Sequence, residues 1–457
     1  MIQRVKATAE APETLQVWWL NPAVAFSVPM LVAGFIAYQT SAASYLYFWR
    51  TPKYFDLSCF SLLIAAVGVF LCGCLLGTAR RREGYRRPAE DWTVAVPWSY
   101  VRRLFKLSFV LTVVAYVIWF GIGIKNGLNL QVILAIIHAD NNATWNLRET
   151  YLSTIPGVTT AAELGLAVIV LGVPLGVATG WRNVRWKCGI VLLLGFVRAF
   201  LNSERLALIE LLVPFVVSFV WLRPMRSRWL RLLTQCAPIV GVTLLYLFFG
   251  LSEFFRSWSN FYAGRESDFW SFIGLRLMGY YATALNNGAL LWRVHGPLSL
   301  RLPAQTVIFL WRFPLLKNVF PILFPSLGFV DFPSHIPDQH YTDLLRTSAN
   351  PEFNNPSGIY LPFVDFGATG GLLYWLLCGL VCGYLYKEFK KRNVAGVFLY
   401  PALYISLIEA ARVLYWGDGR FFPPMFLLVV SVLFVLRKRD RTLPSGSVLP
   451  AKLGFSR

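Results

Sequence analysis

Residues 57–78 read LSCFSLLIAAVGVFLCGCLLGT, a run in which no side chain is charged. An apolar run of roughly 20 residues is long enough to cross the hydrocarbon core of a bilayer as a helix. Similar runs recur along the chain, and together they predict an all-α polytopic membrane protein with about ten transmembrane helices. The predicted spans are residues 22–39, 57–78, 104–124, 161–180, 188–202, 205–222, 233–252, 361–386, 394–411 and 421–436.

The composition of the whole chain agrees with this prediction. Hydrophobic residues make up 56% of the 457 residues, whereas an average soluble domain is about 45–50% apolar. The formal net charge is +20, a value that would also suit a nucleic-acid-binding protein. The positions of the charges decide whether the net charge reflects nucleic-acid binding or membrane topology.

The basic residues predict which side of the membrane each loop occupies. The loop at 79–103 holds seven arginines, so the positive-inside rule places it in the cytoplasm. Strict alternation of the spans then puts the other basic clusters on the same side, at 182–187, 223–231, 387–392 and 437–439. Both termini are therefore predicted to be cytoplasmic. The cytoplasmic side accounts for the whole net charge, so we expect the lipid bilayer and no nucleic acid as a partner.

This topology divides the chain into four parts. Residues 1–250 form an N-terminal membrane region of about seven spans, and residues 361–436 form a C-terminal membrane region of three. Residues 437–457 are a basic cytoplasmic tail. Between the membrane regions lies a large outer loop, 251–360, which is rich in Trp and Tyr and holds three of the four histidines. Loops of this length are commonly functional, so we expect a helical loop that forms the lid and part of an active site.

Arginine near the outer surface of the membrane is the strongest functional signal. Arg198 stands eleven residues after Lys187, which puts it roughly 16 Å into a core about 30 Å thick. An arginine at that depth is expected to face a polar cavity rather than lipid. Arg205 opens the next span, and Glu210 follows it. Two interpretations stay open: an internal Arg–Glu pair that holds the hairpin, or a cationic pocket recessed from the outer surface.

Two further elements bring arginine to the same side. Residues 269–292 are predicted to form a helix on which four polar residues share one face, a stripe that we interpret as substrate-facing. These residues are Arg276, Tyr280, Thr283 and Asn287. Arg412 and Arg420 lie on the short outer connection between the last two spans. Guanidinium groups suit bidentate contacts to phosphate, and outer Trp and Tyr side chains suit stacking on sugar rings.

Candidates for proton transfer and for metal binding come from the end of the outer loop. His340 and Arg346 lie in a segment rich in titratable groups, and Asp365 stands about one turn inside the next span. Asp338 and His340 have no third metal ligand at diagnostic spacing, so an acid–base role for His340 is favoured over a metal site. Asp365 has two interpretations, a base or a polar partner for a neighbouring arginine. The cysteines all lie in or beside apolar runs, so neither a disulfide framework nor a zinc site is predicted.

The arrangement resembles the Wzy-type O-antigen polymerases, or oligosaccharide repeat-unit polymerases, of bacterial inner membranes. The resemblance covers about residues 190–436 and depends on the order of four loose motifs. They are Ser203-Glu204-Arg205, the helix from Arg276 to Asn287, Pro356-Ser357-Gly358 running into Phe363-Val364-Asp365-Phe366-Gly367, and Ala411-Arg412 followed by Arg420-Phe421. The family usually has a small residue on each side of the first arginine, where this chain has Glu204 and Leu206.

The resemblance implies a GT-C-like, multi-pass enzyme of the bacterial inner membrane whose active site faces the periplasm. It would be a membrane glycosyltransferase that polymerises undecaprenyl-pyrophosphate-linked repeat units into O-antigen, capsule or exopolysaccharide, without a metal or another cofactor. A chain-length regulator and a flippase of the same pathway would be its partners.

The resemblance also implies roles for individual residues. Arg198, Arg205, Arg276 and Arg412 would hold the pyrophosphate, with Arg420, Arg346 and Tyr280 as further substrate-binding residues. His340 or Asp365 would be the base. Two alternatives remain: an O-antigen ligase-like glycosyltransferase of the same architecture, and a polysaccharide flippase or exporter. The second is less favoured, because predicted spans one to four and seven carry little charge in their cores.

Overall fold

The computed structural model describes residues 17–79, 96–137, 147–202, 204–223, 227–254, 268–295, 305–309 and 336–442, together with residues 258, 262, 264 and 303. Inside these ranges the side chains at 136–137, 148–149, 295, 336–340 and 438–442 are outside the description. The described chain is helical and contains no strand. Its α-helices are α1 (Pro22–Gln39), α2 (Ala42–Trp49), α3 (Leu57–Ala79), α4 (Trp98–Lys125), α5 (Leu130–Ile137), α6 (Val158–Ala162), α7 (Gly165–Thr179), α8 (Arg185–Leu201), α9 (Leu206–Leu222), α10 (Arg228–Gln235), α11 (Ala237–Glu253), α12 (Phe269–His295), α13 (Ile336–Ser348), α14 (Leu361–Lys390), α15 (Val394–Glu409) and α16 (Phe422–Thr442).

Each predicted span falls on one helix or on two consecutive helices, and the long apolar helices confirm an all-α membrane protein. Among the described helices, α1, α3, α4, α14 and the combined stretch Val158–Thr179 are long and apolar enough to cross a membrane. The bent pair α10–α11 makes a sixth candidate if it counts as one span. Helices α9 and α15 and the first part of α16 are apolar but shorter.

Helix α7 is at the centre of the helical bundle. Every residue from Gly165 to Gly176 is buried, and α4, α8, α9, α15 and α16 surround the helix. Its sequence is apolar on all sides, which is typical of a helix without a solvent-facing stripe. Glycine and alanine allow its neighbours to approach closely. Because this helix is enclosed, a charged residue at its end must find its partner within the protein.

Helices α3 and α14 pack more extensively than any other described pair. Gly73 and Gly77 of α3 face the backbone of α14, and Gly379 and Gly383 of α14 face the backbone of α3. A Cβ at any of these positions would collide with a carbonyl oxygen of the other helix. The spacing of Gly379 and Gly383 predicts this close packing, and that prediction is confirmed.

The other glycine pair of α14, Gly367 and Gly371, has a different structural role. Gly367 has φ 70° and interrupts the helix, a backbone conformation that glycine adopts without steric cost. The neighbouring Gly371 lies against the ring of Phe363 from the same helix. The four-residue spacing of Gly367 and Gly371 also predicts close packing on another helix, but the atoms nearest to Gly371 belong to Phe363 of α14 itself. The kink instead turns the first residues of α14, including Asp365, relative to the rest of the helix.

Segments assigned to the same side of the membrane contact one another. On the predicted cytoplasmic side, the Trp19 indole donates to the carbonyl of Thr234 at 2.8 Å, and the Trp221 indole donates to that of Phe389 at 2.8 Å. On the predicted outer side, the Tyr54 hydroxyl donates to the Ser348 carbonyl at 2.7 Å. These contacts agree with the pairing of loops that the charge pattern predicts.

The predicted helix at 269–292 is confirmed as α12, which extends to His295. It is embedded in the bundle between α1, α2, α11 and α14. Gly279 makes room for the Trp49 indole, which donates to the Leu275 carbonyl at 3.2 Å. This part of the 251–360 loop therefore belongs to the helical body. Most of 296–335, another part of the predicted lid, lies outside the described residues.

Candidate functional site

Five arginines and six glutamates form one buried assembly at the predicted outer end of the bundle, which we call the Arg–Glu network. Its arginines lie on α8, at the start of α9, on α12 and on the connection between α15 and α16. Its glutamates lie beside α7, before and within α9, at the end of α11, before α14 and at the end of α15. The members are Arg198, Arg205, Arg276, Arg412, Arg420, Glu163, Glu204, Glu210, Glu253, Glu352 and Glu409.

The first part of the network is centred on Arg198 and Arg420. The Arg198 guanidinium contacts Glu163 at 2.8 Å and Glu204 at 3.0 Å. Arg420 contacts Glu204 at 2.6 Å, Glu210 at 3.1 Å and Glu163 at 3.4 Å. Two guanidinium groups thus share three carboxylates, in a region where Arg198 is only 6% exposed.

The local chain explains how these groups meet. Glu163 lies at the break between α6 and α7, and Glu204 lies in the turn that reverses the chain between α8 and α9, where its amide donates to the Ala199 carbonyl at 3.1 Å. Glu210 faces the same point from α9. The Tyr415 hydroxyl donates to Glu210 at 2.9 Å, which fixes that carboxylate against the segment that carries Arg420.

The second part is centred on Glu253, whose side chain is completely buried at the end of α11. Glu253 accepts hydrogen bonds from Arg205 and, at 2.5 Å, from Arg276. Arg276 also pairs with Glu352 in the segment before α14. One carboxylate therefore joins the arginine that opens α9 to the arginine of α12.

Aromatic rings enclose this second part. The Arg205 guanidinium carbon lies 3.7 Å from the centre of the Phe249 ring and 5.1 Å from that of Tyr280. Tyr280 in turn packs edge-on against Phe249 and Phe353. Cations are attracted to ring faces at such distances, so the rings hold the guanidinium in place while excluding water.

The third part is the pair Arg412–Glu409, with 2.7 Å between the guanidinium Nε and the carboxylate. Its position depends on the motif at 356–358. The Ser357 amide donates to the Arg412 carbonyl at 3.1 Å, and Gly358 packs against the backbone of 410–414. Ser357 itself has φ 57°. This motif thus locks the outer connection between α15 and α16 onto the start of α14.

The three parts are neighbours. Glu204 of the first and Arg205 of the second are consecutive residues. The Tyr281 phenol lies within electrostatic range of Arg205, Glu409 and Arg412. Burial raises its pKa well above the ordinary value, Glu409 adds to that increase, and the two arginines oppose it.

The carboxylates keep the buried arginines charged. Burial alone would lower the pKa of Arg276, but Glu253 and Glu352 raise it above its ordinary value. Burial acts in the same direction on Arg420 and Arg412, and it is outweighed by Glu163, Glu210 and Glu204 in the first case and by Glu409 in the second. With all groups ionised, five guanidinium groups and six carboxylates give the network a net charge of −1. An anionic ligand must therefore compete with carboxylates for the guanidinium groups.

The carboxylates differ in how easily they can be displaced. Glu253, Glu163 and Glu210 are at most 7% exposed, whereas the side chains of Glu204 and Glu352 are 33% and 37% exposed. The two exposed carboxylates can turn toward water at little cost, and the buried ones cannot. Arg198 and Arg276 each contact one carboxylate of each kind, and Arg420 contacts two buried carboxylates and one exposed one. In this arrangement, buried carboxylates fix the guanidinium groups in position, and the more exposed carboxylates can move away from them.

The structure brings together most of the predicted site residues. Arg198, Arg205, Arg276, Arg412 and Arg420 belong to the network, and Tyr280 lines it. Arg346 is elsewhere: on α13 its side chain is 68% exposed and pairs with Asp343 at 3.6 Å. The backbone of His340 lies in α13, but its side chain lies outside the described residues. Of the other stripe residues, Asn287 donates to the carbonyl of Phe353 at 2.6 Å and so holds the segment before α14.

Asp365 is buried and holds a turn of the outer loop. It accepts hydrogen bonds from the amides of Gln305 and Thr306, at 2.9 and 2.7 Å, and from the Thr306 hydroxyl at 2.7 Å. Phe309 of the same turn stacks on Phe422 with 3.9 Å between ring centres. The carboxylate thus ties residues 305–309 to the outer ends of α14 and α16.

Sequence reasoning missed several carboxylates of the network. Glu163, Glu253 and Glu352 were not predicted to be site residues, although Glu253 stands in the apolar stretch FFGLSEFF, an unusual place for a charge. The internal Arg–Glu pair that the first interpretation placed in the hairpin uses neither Arg205 nor Glu210: Arg205 pairs with Glu253, and Glu210 pairs with Arg420. Within the hairpin the ion pair joins Arg198 to Glu204.

In the part of the chain that the structure describes, no three His, Cys, Asp or Glu side chains are grouped so that they could hold a metal ion. Comparisons with protein-family models, with curated proteins and with solved structures found no match to this chain.

Proposed function

We propose that this protein is a glycosyltransferase that polymerises undecaprenyl-pyrophosphate-linked oligosaccharide repeat units into a surface polysaccharide, as Wzy-type polymerases do. The observation that carries the proposal is the Arg–Glu network, in which five arginines from four separate elements meet at one end of a bundle of membrane helices. Intramembrane arginines are costly and typically mark sites that handle charged groups. A lipid diphosphate is a charged group that reaches such a site from within the membrane.

The chemistry would use the guanidinium groups at the leaving diphosphate. A hydroxyl oxygen of the acceptor glycan attacks the anomeric carbon of the donor, and the bond from that carbon to the diphosphate oxygen breaks. Undecaprenyl pyrophosphate leaves with the electron pair, and the hydroxyl proton passes to a base. Arginines fixed in advance beside the diphosphate stabilise the charge that builds on it in the transition state.

Diphosphate binding would exchange anions within the network. Glu204 and Glu352, the exposed carboxylates, would turn outward, and phosphate oxygens would take their places on Arg198, Arg420 and Arg276. Glu253 and Glu163 would stay in place and keep the guanidinium groups oriented. Tyr280 would line the site beside Arg205.

His340 is our proposed base. The Asp365 oxygens already accept hydrogen bonds from Gln305 and Thr306, so we assign Asp365 to holding the turn at 305–309. The proton acceptor would have to approach the acceptor hydroxyl to within hydrogen-bonding distance, and α13 is followed directly by the segment that carries Glu352. Arg346, on the exposed face of α13, would contact the glycan rather than the diphosphate.

We further propose ten membrane spans with both termini in the cytoplasm, a GT-C-like architecture, and a site that faces the periplasm of a bacterial inner membrane. The contacts that group predicted outer segments with one another support this topology. A chain-length regulator and a flippase of the same pathway would act with the protein. Alkaline phosphatase fused after residue 55, in a predicted outer loop, would be active. The same enzyme fused after residue 90, in a predicted cytoplasmic loop, would be inactive.

The first test is mass analysis of the lipid-linked glycans that accumulate when the gene is deleted. The proposal predicts single repeat units on undecaprenyl pyrophosphate. Long glycans that remain on the lipid would instead identify an O-antigen ligase-like enzyme, and lipid-linked glycans retained on the cytoplasmic side would identify a flippase. Either of these results would overturn the polymerase assignment.

A further inference from the structure

A second cationic feature lies at the predicted cytoplasmic end of the bundle. A groove of about 530 Å³ runs between α8 and α9. Arg185 and Arg223 line it, one at the first residue of α8 and the other directly after the last residue of α9. Since these helices are antiparallel neighbours, both guanidinium groups lie at the same end of the groove.

The rest of the groove is apolar. Leu192 and Phe215 line it about two helical turns from the arginines, a distance of roughly 10 Å at 1.5 Å per residue. Gly189 lies between Arg185 and Leu192 and is exposed. A Cβ added at this position would meet no atom within 4 Å. Leu193, which follows the lining residue Leu192 in α8, is 60% exposed. The groove therefore opens sideways, toward the hydrocarbon that surrounds a membrane helix.

The mouth of the groove has the composition of a membrane interface. Trp181 lines it and is held by packing on Gly176 of α7. Its ring lies 5.9 Å from that of Phe219, and the Arg223 guanidinium lies 5.1 Å from the same Phe219 ring. Tryptophan is enriched at the level of lipid headgroups, and Arg185 is two turns closer to the cytoplasm than Leu192.

The charges of the mouth are free to bind an anion. Within the described residues, neither Arg185 nor Arg223 forms an ion pair with a carboxylate, in contrast to every arginine of the Arg–Glu network. Two guanidinium groups at the same end of one groove suit the binding of one phosphate. An apolar trough that begins at that phosphate and opens to the bilayer fits an acyl chain.

We propose that this groove binds one anionic phospholipid of the cytoplasmic leaflet, with its phosphate on Arg185 and Arg223 and an acyl chain along Gly189, Leu192 and Phe215. The site is separate from the Arg–Glu network, so its occupant is not the glycosyl donor. A bound lipid would bridge α8 and α9, the hairpin that carries Arg198 and Arg205 at its far end. The lipid would thereby stabilise the hairpin on which the proposed site depends.

The test is native mass spectrometry of the purified full-length protein with dioleoyl phosphatidylglycerol, compared with dioleoyl phosphatidylcholine. We expect the wild-type protein to retain phosphatidylglycerol preferentially. The double variant Arg185→Ala/Arg223→Ala should bind it about fivefold less tightly for each arginine removed. The matched control is Arg102→Ala/Arg103→Ala, which removes two exposed arginines at the same end on α4. Equal losses in both double variants, or equal retention of the two lipids, would overturn the proposal.

A second pair of variants tests the acyl chain separately from the charge. Gly189→Leu fills the trough without changing charge, and Gly241→Leu places the same side chain at an equally open position of α11. We expect Gly189→Leu to reduce phosphatidylglycerol retention and Gly241→Leu to leave it unchanged. Competition by sn-glycerol 3-phosphate distinguishes a free phosphate from a lipid. Full displacement by that soluble phosphate, with no effect of Gly189→Leu, would rule out a lipid as the occupant.

Discussion

The two ends of the α8–α9 hairpin use arginine in opposite ways. At the predicted outer end, Arg198 is buried and Arg205 is partly buried, and both pair with carboxylates. At the predicted cytoplasmic end, Arg185 and Arg223 are exposed, and in the described structure no carboxylate pairs with either of them. A buried cation needs a counter-ion supplied by the protein, whereas an exposed cation can be neutralised by lipid or stabilised by solvent. The arginines at one end of the hairpin are therefore fixed by the fold, and those at the other end are available to bind a ligand at the surface.

The largest effect should follow from removing the carboxylate at the centre of the outer site. Glu253→Gln leaves Arg205 and Arg276 without the buried charge that they share. Breaking a buried ion pair from one side costs about 3–5 kcal/mol. We expect a large drop in the melting temperature of the purified protein, measured by thiol-reactive dye fluorescence. Glu352→Gln is the matched control, since that carboxylate is more exposed and should cost much less. Equal melting temperatures for the two variants would contradict the distinction between fixed and movable carboxylates.

The second-largest effect is expected on glycan polymerisation when Arg276 is replaced. Arg276→Ala removes a guanidinium that the proposed function assigns to the diphosphate, so glycan polymerisation should be lost. The readout is the ladder of chain lengths on a gel from a deletion strain that expresses the variant, at matched levels of membrane-inserted protein. Arg293→Ala, on the exposed end of the same helix, is the control and should keep the ladder. A normal ladder from Arg276→Ala would remove this residue from the site.

A smaller effect is expected from the hydrogen bond between Tyr415 and Glu210. Tyr415→Phe removes a donor to a buried carboxylate at 2.9 Å and leaves the ring in place. Hydrogen bonds to charged groups contribute about 1.5–3 kcal/mol. We expect a moderate fall in melting temperature together with shorter glycan chains, because Glu210 also positions Arg420. If neither quantity changes, Glu210 does not depend on this hydroxyl.

At the predicted cytoplasmic end, Arg185→Ala/Arg223→Ala should hardly change stability in detergent without added anionic lipid. Arg185 and Arg223 are exposed, and surface substitutions usually change stability by less than about 0.5 kcal/mol. The melting temperature of Arg185→Ala/Arg223→Ala should therefore match that of the wild-type protein until phosphatidylglycerol is added, and only the wild-type protein should then become more stable. A large loss of stability without lipid would show that these arginines are structural.

The smallest effect is expected at Arg346, whose contact with Asp343 joins two exposed side chains 3.6 Å apart. Such surface pairs contribute about 0–1 kcal/mol. Arg346→Ala should leave the melting temperature unchanged and, at most, shorten the glycan. A collapse of stability comparable to that of Glu253→Gln would mean that α13 is bound into the fold more tightly than its exposure indicates.

The helices were predictable because their signal is local. Apolar runs such as 57–78 mark α3, and the periodic stripe from Arg276 marks α12. The close packing of Gly379 and Gly383 also follows from spacing alone. Gly367 and Gly371 have the same spacing, but Gly367 has φ 70° and interrupts the helix. Four-residue spacing does not distinguish a packing surface from a kink.

The candidate site was predictable only in part. Topology indicates that Arg198, Arg205, Arg276, Arg412 and Arg420 lie at one end of the bundle, and the structure brings them together. The identity of their partners is not local: Arg205 and Glu253 are 48 residues apart, and Arg420 and Glu204 are 216 residues apart. A single sequence contains no signal for such pairs, except that a lone glutamate in an apolar stretch requires a partner.

The most direct test of the central claim is elongation by the purified protein. Wild-type protein in lipid nanodiscs would be incubated with a repeat unit on undecaprenyl pyrophosphate, and products would be separated by mass. We predict glycans of two or more repeat units and an equivalent release of undecaprenyl pyrophosphate, both lost in Arg205→Ala and kept in Arg293→Ala. Elongation by Arg205→Ala at the wild-type rate would contradict the claim that the Arg–Glu network holds the leaving diphosphate.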